Sequence, residues 1–368
     1  MARLVIKIGS NILADKKSGL KIKRIETISD DISRICALGN EVLIVSSGAI
    51  TAGMKRLGFV EKPSEVRLKQ ASAAVGQSIL MSAYEKSFNR HNRKIAQVLL
   101  TREDLSNRKR YINAKNTLLT LLSFNVIPVI NENDTVSTEE IKFGDNDQLA
   151  ALVAGTVEAD WLIILSDVDG LYTSDPTSNA DAELIREVSE ITPQIESIAG
   201  ASRSGVGTGG MYSKILAAKK ALAYGIKVNI ISGKKSGVLK RLISGKHEGT
   251  AFLPTAKSIN SRKGWIAFAT RPKGALILDD GAIKALVKSG KSLLPSGIKE
   301  VQGEFEIGEA VRCLDTKGIK IAKGIVNYSS QDISKIKGKK SHLIEQILGF
   351  KYADEVIHRD NLVILDIK

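Results

Sequence analysis

The chain has 368 residues, 43% of them hydrophobic and 26% charged, a folded-protein balance too long for one ordinary core, so two domains are expected. Its net charge of +14 favours anionic partners such as nucleotides, acidic substrates or nucleic acid, although a basic background serves solubility equally well. Cys36 and Cys313 form no metal or redox spacing, and the longest apolar runs are strand-length, so a cytoplasmic protein with reduced thiols and no membrane span is expected.

Residues 2–8 read directly as a strand, not as the charged head and apolar core of a secretory leader. Strands are predicted at 3–8, 41–46, 94–99, 126–130, 161–165 and 227–231. Helical patterns lie between them at 22–38, 67–88, 113–123, 147–156 and 210–224. Near-continuous apolar strands alternating with helices predict an α/β fold, a mainly parallel sheet sandwiched by helices. Residues 135–142 alternate weakly, as a hairpin or flap would. A polar stretch follows, and from 274 onward short strands (275–278, 299–301, 310–314, 319–326) are joined by Gly-rich turns. This predicts a catalytic domain over 1–255, a linker over 256–273 and a small β-rich barrel with one or two helices over 274–368.

Three glycine-containing loops follow strands in the first domain. Lys7-Ile8-Gly9-Ser10 ends the first strand, and Ser46-Ser47-Gly48-Ala49 ends the second and opens a helix. Glycine admits close approach of a ligand, and a helix start offers free N–H groups to anions. Each loop alone is weak, because ordinary βα turns use the same residues for geometry. The third, Gly205-Val206-Gly207-Thr208-Gly209-Gly210-Met211-Tyr212-Ser213-Lys214, contains GxGxxG but lies too late in the domain for a dinucleotide fingerprint. A phosphate-covering loop followed by a lysine on a helix fits it better. Gly290-Lys291-Ser292 lacks the first glycine of a P-loop, His358-Arg359-Asp360 lacks the asparagine of a kinase catalytic loop, and the four histidines are scattered. No protein metal site is predicted. Two polar clusters, Asn131-Glu132-Asn133-Asp134 and Gly144-Asp145-Asn146-Asp147, suit a substrate ammonium or a lysine that must be held. Either Asp145 or Asn146 could instead cap the helix that follows.

Further blocks stand in order along the chain: Ala73-Ala74-Val75-Gly76-Gln77, Pro128-Val129-Ile130 before the first polar cluster, Lys142-Phe143 before the second, Ser166-Asp167, and Gly170-Leu171-Tyr172. With the three loops, these blocks resemble the glutamate 5-kinases, a branch of the amino acid kinase family. The tail, with Leu293-Leu294-Pro295-Ser296-Gly297 and Ile347-Leu348-Gly349, is similar to the PUA domain often fused to them. The resemblance implies the amino acid kinase fold, and phosphorylation by ATP of the L-glutamate side-chain carboxylate to L-glutamyl 5-phosphate, the first step of proline biosynthesis. It implies catalytic roles for Lys7, Lys214 and Asp147, and glutamate binding by Ser47, Asp134, Asp145 and Asn146. ATP would be held by Lys7, Ser166, Asp167, Thr208, Gly209, Gly210, Met211, Tyr212, Ser213 and Lys214, with Mg2+ bridging its phosphates. Ser166 and Asp169 depart from the family pattern and bear on nucleotide contacts. Proline as feedback inhibitor, a dimer or tetramer, and a glutamyl phosphate reductase as recipient of the product go with the resemblance. The rival acceptors are aspartate, N-acetylglutamate, carbamate or a nucleoside monophosphate. A tail that binds RNA is the reading from another class, but the six aromatics from Trp265 onward are too sparse to establish base stacking.

Overall fold

The computed structural model describes residues 1–15, 19–61, 63–137, 146–201, 210–254 and 260–365. The chain divides into two compact units, Met1–Ile259 and Asn260–Lys368.

The first unit opens with β1 (Arg3–Ile8), the short helix α1 (Ser10–Leu13), and a small hairpin of β2 (Ala14–Asp15) and β3 (Gly19–Leu20). There follow α2 (Ile22–Ala37), β4 (Glu41–Ser46), α3 (Ala49–Arg56), α4 (Val66–Asn89), β5 (Ile95–Leu100), α5 (Arg102–Ser106) and α6 (Arg108–Ser123). The centre of the unit is β6 (Ile127–Glu132), α7 (Asn146–Thr156), β7 (Trp161–Ser166) and β8 (Glu187–Val188). It closes with α8 (Pro193–Ala201), α9 (Met211–Ala223), β9 (Lys227–Ser232), α10 (Val238–Ile243) and β10 (Thr250–Phe252).

The sheet order is β5-β6-β4-β1-β7-β9-β10-β8. It is parallel from β5 to β9, and β10 alone runs antiparallel to its neighbour β9. The chain leaves β1 for β4 on one side and returns to β7 on the other. The strand order therefore reverses at β1, which opens a crevice at the carboxyl ends of the strands.

Side-chain alternation decides what each face meets. Leu4, Ile6 and Ile8 of β1 join Ile44, Ile163 and Leu165 in a core with Ile25, Ile28, Ile32 and Ile35, spaced three or four apart on α2. Leu80, Tyr84 and Phe88 of α4, with Val238, Leu239 and Leu242 of α10, complete it. Val5 and Lys7 must then point to the opposite face, where α7 packs. Between α3 and α4 the backbones touch: a Cβ on Gly53 would come 1.7 Å from the Ser72 carbonyl, and one on Gly76 would come 1.7 Å from the Ala49 carbonyl. Those two glycines fix the seat of α3, and so of Ser47 just before it.

The second unit begins earlier than the expected barrel. Residues 260–273, expected as part of a connecting stretch, are instead ordered on the unit they precede. The Asn260 side chain accepts from the Lys263 amide at 2.9 Å and caps α11 (Ser261–Gly264), which continues as a π-turn over Trp265–Ala269. Trp265, Ile266 and Ala269 are buried, and the Lys323 ammonium donates to the carbonyls of Ala267 (3.2 Å) and Thr270 (2.5 Å). A polar average over the stretch concealed this apolar anchor. Beyond it lie β11 (Gly274–Leu278), α12 (Asp280–Ser289), β12 (Ile298–Gln302), β13 (Ala310–Leu314) and β14 (Lys320–Ile325). The unit ends with α13 (Ser330–Ile336), α14 (Ile344–Leu348) and β15 (Leu362–Ile364). Its strands form one sheet, β12-β11-β13-β14-β15, over a core of its own. Phe305 and Tyr328 belong to that core and Trp265 is buried, so none of the three offers a stacking surface.

Candidate active site

Lys7 sits next to last on the central strand, its neighbours Val45 and Ile164 leaving no counter-charge within the sheet. The charge is met from α7. Its Nζ lies 2.6 Å from Asp147 Oδ1, and Lys214 Nζ of α9 lies 3.1 Å from Asp147 Oδ2. The side chains are 4%, 8% and 0% exposed for Lys7, Lys214 and Asp147. An ammonium taken out of water costs several kcal/mol unless it is paired, so Asp147 is what allows both lysines to be there. The three groups together carry one more positive than negative charge, which favours an anion at the crevice.

The supports are local. Asp147 lies in the first turn of α7, where a negative charge is favoured by the helix dipole. Lys214 stands in the first turn of α9, whose cap Gly210 offers no side chain to the N–H groups there, a helix start that suits an anion. Gly9, just after β1, donates to the Leu165 carbonyl at 3.2 Å, and a Cβ there would come 3.9 Å from Lys7 Nζ. Gln148 donates to the Ser213 carbonyl at 2.9 Å and is bonded to the Lys220 ammonium, which ties α7 to α9 beside the two lysine contacts. Burial lowers Lys220 to about 8, and the Arg102 guanidinium adds to the shift.

Among the described residues the Asn146 side chain turns to the sheet edge rather than to the helix start. Its Nδ2 donates to the Ser46 carbonyl (2.7 Å), to Ser47 Oγ (3.0 Å) and to Asn131 Oδ1 (2.9 Å). The first polar cluster and the second thus meet over the end of β4. Asp134 lines a small recess with Gln77, Glu132, Asn133, Ala49 and Ala73. Glu132 is buried and accepts from Ser137 Oγ at 2.9 Å.

Across β1, Ser166 and Asp167 end β7. Burial by itself pushes the Asp167 carboxyl up, but the hydrogen bond from Asn11, its own backbone and the fields of Lys214 and Lys234 hold it below the usual carboxylate range. Asn11 Nδ2 reaches Asp167 Oδ2 at 2.9 Å. Asn11 also lines a basic recess with Lys21, Arg24 and Lys234. Met211 and Ser213 are half-buried, while Gly210 and Tyr212 are exposed. Asp145, Thr208 and Gly209, and the flap from 138 onward, lie outside the described residues.

The structure thus brings together Lys7, Lys214 and Asp147, and separately Ser47, Asn146 and the Asn131 cluster. It adds Asn11, Gln77, Gln97 and Gln148. Of these only Gln77 stood in a block singled out above, and polar residues within amphipathic helices carry no local signal.

A sheet that reverses at a lysine-bearing strand, with two lysines sharing one carboxylate at its carboxyl edge, defines a class. The chain belongs to the amino acid kinase family, which it matches over residues 2–232, and a PUA domain follows over residues 274–348. Among its relatives, the glutamate 5-kinase of Caldanaerobacter subterraneus subsp. tengcongensis is 52% identical over 99% of this chain and 98% of its own length. That of Geobacter sulfurreducens is 51% identical over 99% and 97%. The fold is shared with carbamate kinase from Giardia lamblia bound to AMP-PNP (TM-score 0.50, 19% identity, 69% of this chain and 99% of that one). An isopentenyl phosphate kinase substrate complex is likewise similar (TM-score 0.50, 18% identity, 68% of this chain and 100% of that one).

Proposed function

We propose that this chain transfers the γ-phosphoryl group of ATP to the side-chain carboxylate of L-glutamate, giving L-glutamyl 5-phosphate and ADP at the entry to proline biosynthesis. Identity above half along the whole length to proteins named glutamate 5-kinase supports the substrate. The observation that carries the chemistry is the buried Lys7–Asp147–Lys214 arrangement at the sheet edge.

The acceptor carboxylate has a reference pKa near 4.3 and is already ionised at neutral pH, so no general base is needed. Its oxygen forms a bond to the γ-phosphorus while the bond to the β–γ bridging oxygen breaks, and ADP leaves with that electron pair. Positioning and neutralisation of the transferring group remain as the work of the protein. Lys7 and Lys214 approach that group from the strand side and the helix side, and Asp147 holds both ammonium groups in register. Ser47, Asn146, Asp134 and Asp145 hold glutamate. Ser166, Asp167 and the segment 208–214 hold the nucleotide, with the start of α9 facing its phosphates.

Among the described residues no group of three or more His, Cys, Asp or Glu is placed to hold a metal. A magnesium ion would be held chiefly by the nucleotide's phosphates, would neutralise their charge and would need few protein ligands. Inhibition by proline, a homo-oligomeric assembly and transfer of the reactive product to a reductase belong to the same reading.

The test is magnesium-dependent ATP turnover with L-glutamate, aspartate and N-acetylglutamate, trapping acyl phosphate as the hydroxamate. Hydroxamate from glutamate alone is the expected result. Preference for another acceptor would overturn the substrate assignment.

A further inference from the structure

We infer that Gln77 and Asn131 form a hydrogen-bond relay of fixed polarity that braces the Asn146 amide, already turned by the Ser46 carbonyl, with its oxygen toward the substrate ammonium, which makes Gln77 a positioning residue for acceptor choice. The inference rests on the glutamate reading above and extends it to residues that touch no reacting atom.

An asparagine side chain can be turned by half a revolution at little cost in shape, exchanging a donor for an acceptor. Here two backbone groups remove that freedom. The Ser46 carbonyl can only accept, so the Asn146 atom 2.7 Å away must be Nδ2. The Glu132 amide can only donate, so the Asn131 atom 2.9 Å from it must be Oδ1. Asn146 Nδ2 then donates to Asn131 Oδ1 at 2.9 Å, and Asn131 Nδ2, facing the other way, donates to Gln77 Oε1 at 2.9 Å. Gln77 Nε2 is left to donate to Gln97 Oε1 at 3.3 Å, an exposed residue midway along the edge strand β5. Every link runs in one direction, from Asn146 outward to solvent.

The consequence lies at the inner end. The two N–H groups of Asn146 Nδ2 are shared among three acceptors, one of them Ser47 Oγ, and its partners among the described residues are all on that nitrogen. Its Oδ1 remains as an acceptor. An acceptor oxygen matches the N–H groups of an α-ammonium, whereas the reversed amide would present N–H groups to it. Gln77 also lines the recess that holds Asp134 and Glu132, so the relay and the carboxylates converge on one acceptor site. The relay is buried at Asn131 and Gln77, where an unmatched donor or acceptor is costly, and this resists reversal of any one amide.

The experiment compares L-glutamate with glutarate, which has both carboxylates and no ammonium. KM for glutamate and the competitive inhibition constant of glutarate are measured for the wild type, Gln77→Met and Gln77→Glu. Methionine keeps the shape and removes both hydrogen bonds, whereas glutamate at 77 still offers an oxygen to Asn131 Nδ2. Gln77→Met is expected to raise KM for L-glutamate about fivefold, as loss of one neutral hydrogen bond that braces a binding group does. Glutarate inhibition should stay within about twofold of wild type, and Gln77→Glu should recover most of the loss. Parallel weakening of both ligands, or no change in either, would overturn the relay. Should Gln77→Met lose its cooperative thermal transition, Gln97→Met at the exposed end must show the same selective loss, smaller in size, or the relay is wrong. Wild-type protein that fails to phosphorylate L-glutamate at all would sink the underlying reading instead, before any variant is compared.

Discussion

Asn146 and Asp147 are consecutive residues in the first turn of α7, and they anchor two networks of opposite character. Asp147 gathers two ammonium groups, Lys7 at 2.6 Å and Lys214 at 3.1 Å. Asn146 gathers neutral groups, a carbonyl, a hydroxyl and an amide. The charged network offers strength without direction, because an ammonium accepts a counter-ion from many angles. The neutral network offers direction with little strength, because each amide atom is either a donor or an acceptor. A phosphoryl group in transfer needs the first, and an amino acid that must be told from its analogues needs the second. One helix start delivers both to neighbouring positions at the sheet edge.

The largest effect should come from Asp147→Ala, which leaves two buried ammonium groups without their shared carboxylate. A loss of about 3–5 kcal/mol in urea denaturation is expected, with Asn146→Ala costing about 1–2 kcal/mol. Equal losses for the two would break the comparison. Next, Lys214→Met should lower kcat by about a hundredfold or more while glutamate affinity stays close to wild type; near-normal turnover would remove Lys214 from phosphoryl stabilisation. Asn146→Ala should act the other way, raising KM for glutamate about tenfold with KM for ATP little changed, and a loss confined to the ATP side would exchange the two roles. The smallest effect concerns Lys220, whose ammonium is lowered to about 8 in the folded chain from 10.5. Between those values the unfolded chain binds more protons at this site than the folded one, so its contribution to stability rises with pH there, and its cost is complete below about 8. Lys220→Met removes the cost, so the variant-minus-wild-type difference in melting temperature should fall as pH rises through that window. A flat difference would mean that the group titrates normally.

Outside the site the same contrast holds between the two units. In the first, the strand at 3–8 was legible to the residue, because β-branched runs flanked by polar turns leave little else to form. Helix α7 spans the expected 147–156, with the Asn146 amide turned to the sheet edge. The short strands β8 and β10 carried no pattern, having two and three residues; β9 offers an edge to β10, and β10 in turn offers one to β8. In the second unit the turns were visible as glycines, but 260–273 read as a connector although Trp265 is 2% exposed. A five-residue apolar run, Trp265–Ala269, inside a polar stretch declares its burial only when a surface is there to receive it.

Local chemistry in the chain determined the alternation of strand and helix, the positions of the glycine turns and the residue types at the strand ends. Periodicity and backbone preference act over a few residues, so they can be read in order along the chain. Only the tertiary structure decided that Lys7 and Lys214, 207 positions apart in the sequence, share Asp147. It alone set the direction of the amides from Asn146 to Gln97 and chose Gln148 to tie α7 to α9. Those are facts about which buried donor finds which acceptor, and such partners are assigned by packing across the sheet rather than by any neighbour in sequence.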